Sequence, residues 1–117
     1  MSRELKLIYP YAGDPTLYGC LRTIAGLVWY PGGSVFEVWG TGSRTATDYD
    51  IAVTHRGGSV WTADVPTGMA ADLYNFIVYL QTGASPANGD MPIANVQGRW
   101  TGTEWQGAIS FVSSVPS

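Results

Sequence analysis

The chain reads as an all-β protein, a two-sheet antiparallel sandwich of about seven to nine short strands, with a small barrel as the alternative closure. Three observations predict it. Large and small side chains alternate with period two over Tyr49–His55 and Val60–Val65, the mark of half-buried strands. Turn residues recur at close intervals, with 15 glycines and 7 prolines in 117 residues. No window of 11 residues carries the three-to-four apolar spacing of an amphipathic helix.

Leu5-Lys6-Leu7-Ile8-Tyr9 is a first strand, ended by Pro10 and a Gly13-Asp14-Pro15 turn. Leu17–Ile24 is the second. Ala25-Gly26 breaks it, and Leu27-Val28-Trp29-Tyr30 follows as a piece that either stands alone or continues the second strand across a bulge. Pro31-Gly32-Gly33 is a turn, Ser34–Trp39 a strand and Gly40–Arg44 a flexible loop. Tyr49–His55 is then a strand with one wet face. Arg56-Gly57-Gly58-Ser59 supplies a hairpin turn, and Val60–Val65 returns with Trp61, Ala63 and Val65 facing inward until Pro66 ends it. A corner at Thr67–Asp72, with one helical turn over Gly68–Leu73, leads into Leu73–Leu80. That run is apolar on both faces, as in a central or assembly-lining strand. Gln81–Asp90 is a long exposed loop. Ile93–Gln97 and Ala108–Val112 are the last strands, and Ser113–Ser117 should fray. Residues 1–117 form one domain, without internal repeat.

Composition excludes several classes. A formal charge of −3, with only 6 Lys and Arg, disfavours nucleic acid, whose phosphates call for clustered cations. The longest uncharged apolar run, Ile24–Tyr30, is far short of the ~20 residues a membrane span needs. No secretory signal opens the chain, so a soluble, unexported protein is expected. The single cysteine, Cys20, cannot form an internal disulfide and reads as a small strand residue.

Reactive constellations are thin. His55 is the one base available to a nucleophile, and it falls at a strand end beside a turn, where a rim role is expected. Asp48 and Asp50 have the i, i+2 spacing of one strand face, with Asp64 on the paired strand; two acids there would suit glycoside cleavage or calcium, and equally a solvated face. Asp14, Asp72 and Asp90 sit in turn contexts, where a carboxylate caps backbone N–H groups. No metal, cofactor or catalytic residue is expected. Aromatics are the stronger signal, because 5 tryptophans and 7 tyrosines exceed what one small core holds comfortably. Trp61 and Trp29 are assigned to the core. Trp39, Trp100 and Trp105 fall at strand ends, where an indole can anchor a protein neighbour, stack on a sugar ring or fold over the open end of the sandwich.

Gly58-x-Val60-x-x-x-x-Pro66 followed by Ala71-Asp72-Leu73-Tyr74-x-Phe76-x-Val78 resembles the corner of immunoglobulin-like sandwiches. The resemblance implies that Tyr74 is a structural corner residue, folding its hydroxyl back onto the preceding backbone. The order Leu17-Tyr18-x-x-Leu21, Val28-Trp29, Phe36-Glu37, Tyr49-x-Ile51-Ala52-Val53 and Val78-Tyr79-x-Gln81-x-Gly83-Ala84-Ser85-Pro86 is similar to small sandwich proteins of bacteriophages and prophages. The Trp100–Trp105 segment departs from that pattern. What the similarity implies is a non-catalytic virion component, from head decoration, tail or baseplate, assembled in the bacterial cytoplasm through contacts with itself or other virion proteins. The alternative drawn from the tryptophans is a carbohydrate-binding module.

Overall fold

The computed structural model describes residues 4–8, 15–57, 60–66 and 68–111. Gly13 and Asp14 of the first turn, Gly58 and Ser59 of the hairpin, Thr67 of the corner and Ser113–Ser117 lie outside the described residues. Alternation is realised as ten strands: β1 (Glu4–Ile8), β2 (Leu17–Thr23), β3 (Val28–Tyr30), β4 (Val35–Glu37), β5 (Ile51–Ala52), β6 (Thr54–Gly57), β7 (Val60–Asp64), β8 (Asp72–Leu80), β9 (Met91–Trp100) and β10 (Trp105–Phe111). One sheet runs β10-β9-β8-β2-β3-β4, with β5 on the same edge of β2 as β3; the other runs β1-β7-β6. Every pairing is antiparallel. The fold is the expected all-β sandwich.

Parity explains the core. On β8 the even positions Tyr74, Phe76 and Val78 face inward; their neighbours Leu17 and Leu21 on β2, and Ala94, Val96 and Trp100 on β9, do the same. The small sheet adds Trp61, Ala63 and Val65 across the interlayer gap, so both sheets share one apolar cluster. A large aliphatic or aromatic side chain buried there contributes about 1.5–3 kcal/mol. The shortest dimension of the molecule, 21 Å, is what two layers about 10 Å apart and their outward side chains fill.

Four sequence expectations are corrected. The 49–55 run is not one strand: Tyr49 closes a single helical turn, α1 (Ala46–Tyr49), and the chain then pairs with β2 as β5, turns at Val53 and pairs with β7 as β6. The signal was Thr45-x-x-Asp48, a capping pattern in which the Asp48 carboxylate accepts from the Thr45 N–H at 2.9 Å. Residues 27–30 do not continue β2 but reverse onto it, because Gly26 takes φ 97° and its N–H closes a turn on the Thr23 carbonyl at 2.9 Å. The 68–73 corner is not helical, and Gly68 there has φ 92°. Finally, β9 and β10 reach further than expected, meeting at a turn in which the Thr101 hydroxyl accepts from the Glu104 N–H at 3.1 Å and the Thr101 N–H bonds the Glu104 carbonyl. The corner tyrosine folds back as the resemblance implies, with the Tyr74 hydroxyl donating to the Ala70 carbonyl at 2.6 Å.

Candidate interaction surface

The three tryptophans singled out for binding occupy different environments. Trp100 is 2% exposed: it shares the inward parity of Val96, so the longer β9 carries it into the core, where no partner can stack on it. Trp105 lies directly opposite Trp100 in the β9–β10 hairpin and packs half-buried on the same cluster. These two close the end of the sandwich. Trp39 is half-buried on the other side of the large sheet, its ring 4.7 Å from that of Tyr49 and 4.9 Å from the Arg22 guanidinium. His55 lies flat on Trp61, ring centroids 4.1 Å apart. Asp48 is engaged in the helix cap, so the expected single strand face for Asp48 and Asp50 does not form. Among the described residues, no group of three or more His, Cys, Asp or Glu is placed to hold a metal, and no helix is long and apolar enough to cross a membrane.

The outer face of the large sheet has two unlike halves. Over β2, β3 and β4 it is covered by residues 38–50, a lid built of a 3-10 turn (Thr41–Ser43) and α1. Beneath the lid lies a second small core of Tyr18, Cys20, Val28 and Tyr49, with Tyr30, Trp39 and Tyr79 packed against it. Glu37 anchors the lid. Its carboxylate accepts from the Arg44 guanidinium at 3.0 Å and from the Tyr49 hydroxyl at 2.8 Å, while the Gly40 N–H donates to that hydroxyl at 3.1 Å. Arg44 also lies over the Tyr30 ring, 3.8 Å from its centroid. Burial, with the Glu37 bond added, raises the Tyr49 phenol above its ordinary value, and burial pushes the Cys20 thiol up to about 12. A thiol held so far from ionisation is an inert packing residue.

A buried aspartate secures the neighbouring loop. Asp90 accepts from the Tyr18 hydroxyl at 2.8 Å and from the Ala87 N–H at 2.9 Å, and Asn88 accepts from the first N–H of α1 at 2.9 Å. The 81–90 segment is thereby tied to both the sheet and the lid, an arrangement its turn-rich sequence does not announce.

Over β8 and β9 the outward residues run from half-buried, at Asn75, Ile77 and Asn95, to exposed, at Leu73, Gln97 and Arg99. Register places Arg22 opposite Asn75 and Asn75 opposite Gln97, so a guanidinium and two amides form one polar rung. The neighbouring rungs carry Ile77 with Asn95 and Leu73 with Arg99. Arg99 is exposed, and its side chain has no ion pair or hydrogen bond among the described residues. Thr23 pairs with Tyr74, so Ile24, the first residue of the turn that follows β2, and Leu73 of β8 lie at the same end of the sheet. Ile24 is 57% exposed, Leu73 38% and Val38, at the start of the lid, 68%.

On the far side, a cavity of about 250 Å³ opens where β5 gives way to β6, lined by Ile51, Ala52, Thr54, Arg56, Thr62, Ala63 and Asp64. Within its lining the Arg56 Nε donates to the Thr62 hydroxyl at 2.9 Å. No family model, curated protein or solved structure matches the chain.

Proposed function

We propose that the chain is a non-catalytic structural building block of a phage or prophage particle, a head decoration, tail or baseplate component that acts by packing against copies of itself or neighbouring virion proteins. The observation that carries the assembly reading is the exposure of the large aliphatics Ile24, Val38 and Leu73, with the half-buried Arg22–Trp39 stack a further candidate contact. Branched aliphatics held in water keep about 25 cal/mol of unspent burial free energy per Å², and tryptophan and arginine are the residues that dominate interface energetics. The similarity of the strand and corner motifs to small phage sandwich proteins supports the virion setting and assembly in the host cytoplasm. A carbohydrate platform has weaker support, because Trp100 is shut inside the core and Trp39 is half-covered by Arg22 and Tyr49.

Mass spectrometry of purified particles, with antibody labelling under the electron microscope, tests the reading. The expected result is the chain at a fixed copy number in a defined substructure. Recovery of the protein solely in the unassembled fraction of the lysate defeats it. Binding on a glycan array that is lost in Trp39→Ala favours the carbohydrate module instead.

A further inference from the structure

Residues 87–90 form a tight turn whose tip carries a reactive pair. The Asp90 N–H donates to the Ala87 carbonyl at 3.1 Å, and Asn88 and Gly89 stand exposed between them. Among the described residues the Gly89 N–H makes no hydrogen bond, and a Cβ added at Gly89 would meet nothing within 4 Å. The nitrogen that follows Asn88 is therefore open to a solvent base and uncrowded, and glycine leaves its peptide free to rotate toward the preceding side chain. The Asn88 Oδ1 accepts from the Ala46 N–H at 2.9 Å. A donor so placed stabilises negative charge that develops on that oxygen. The other asparagines of the chain, Asn75 and Asn95, are half-buried in paired strands and precede Phe76 and Val96.

We infer that Asn88-Gly89 is a site of spontaneous covalent modification, and that one of its two products unties the 81–90 loop from the lid. Hydroxide removes the Gly89 amide proton, and the nitrogen attacks Asn88 Cγ, forming a C–N bond and placing the charge on Oδ1 beside the Ala46 N–H. The bond from Cγ to Nδ2 then breaks, and that nitrogen takes a proton from water and leaves as ammonia. A five-membered imide remains, which water opens at either carbonyl. Opening at Cγ gives an ordinary aspartate, which keeps the backbone length and an acceptor for the Ala46 N–H. Opening at the main-chain carbonyl gives an isoaspartate, whose main chain runs through Cγ and is one methylene longer between Ala87 and Asp90. The two bonds that close this turn, Asp90 N–H to the Ala87 carbonyl and Ala87 N–H to the Asp90 carboxylate, then lose their register. With them goes the placement of the carboxylate that accepts from Tyr18, a member of the second core beside Cys20. The pair is a clock set by pH and temperature, and it needs no enzyme.

Ageing the purified chain at mildly alkaline pH and body temperature tests this. Peptide mapping should find a gain of about 1 Da at position 88, one amide exchanged for a carboxyl, and none at Asn75 or Asn95. Electron-transfer fragmentation tells the two products apart. The native chain should convert at no less than about one-tenth the rate of the same chain in urea, because an exposed turn has no need to open first. Slower conversion overturns the inference. Gly89→Ala, which has room for its methyl group, should slow the reaction about tenfold or more, and an unchanged rate also overturns it. The release is read at Cys20, buried under the lid. In the acidic pool separated from aged protein by ion exchange, a fraction equal to the isoaspartate content should react with a thiol reagent about tenfold faster than the parent, while Asn88→Asp reacts as the parent does. A pool that labels at the parent rate overturns the release. Equally fast labelling of Asn88→Asp overturns it too, since added charge and not a longer main chain would then be the cause. None of these outcomes bears on the assembly reading.

Discussion

Gly19 shows how sharply one residue can be specified by its neighbour. It lies on the inward face of β2, and the Phe76 ring from β8 rests on its backbone so closely that an added Cβ would sit 2.1 Å from the ring's Cζ. Gly19→Ala must displace a fully buried phenyl ring in a close-packed core, which costs about 1–3 kcal/mol. Urea unfolding should show that loss as a lower midpoint at unchanged slope. Asp50 gives a pH-dependent counterpart. Burial raises its carboxyl from the ordinary 3.8, so between that value and the native one the folded chain binds more protons than the unfolded chain. Stability is therefore greatest below this window and declines as pH rises through it. In dilute monomer, Asp50→Asn should melt roughly 2 °C higher than the parent at pH 7 and equally at pH 3; a parent as stable as the variant at both pH values contradicts the desolvation. Neither feature is legible from sequence. A glycine in a strand pattern says only that something approaches closely, and Asp50 looks like any solvated acid until the lid is placed over β2.

At the scale of elements, the lid is where sequence and structure part most. Alternation carried Tyr49 into a strand, yet Thr45 and Asp48 cap a helical turn, and the same phenol that looked strand-like becomes the plug of a second core. The four-residue helix is too short to announce itself by periodicity, and its one local sign, Thr45-x-x-Asp48, competes with a convincing period-two run. The capping residues were visible; their weight was not. Glu37 holds both Arg44 and Tyr49 of the lid, so Glu37→Gln loosens the segment without touching the sandwich core. Labelling of Cys20 by a thiol reagent in the native protein should then accelerate roughly tenfold, as local opening becomes easier. Unchanged protection would mean that Tyr49 packing alone holds the lid. Elsewhere the elements follow their sequence closely. Leu73–Leu80 is central because it pairs with β2 on one edge and β9 on the other, and Tyr74 reaches the Ala70 carbonyl because the corner residues bring that oxygen within range.

For the whole molecule, the sandwich was legible because alternation and turn spacing act locally and repeatedly, each strand confirming the last. The candidate surface was not, since it depends on which residues share a rung across β2, β8 and β9, and register between distant strands leaves no mark on any single segment. Trp100 illustrates the difference. Its place beside a turn suggested an accessible indole, whereas three more residues of β9 turn it inward. The residues that end up outside are ordinary ones, Ile24, Val38, Leu73 and Arg99, unremarkable in sequence. The particle measurements described above test the molecule at this scale, for where it is built in.

The passage from β5 to β6 through Val53 has a mechanical consequence. One uninterrupted backbone segment is stitched into both layers within a few residues, hydrogen-bonded to β2 on one side and to β7 on the other. A load that tries to slide the layers past each other is therefore borne in shear by those short ladders before the shared core is exposed. A particle subjected to internal pressure or to pulling during attachment would gain from a module whose two halves yield together.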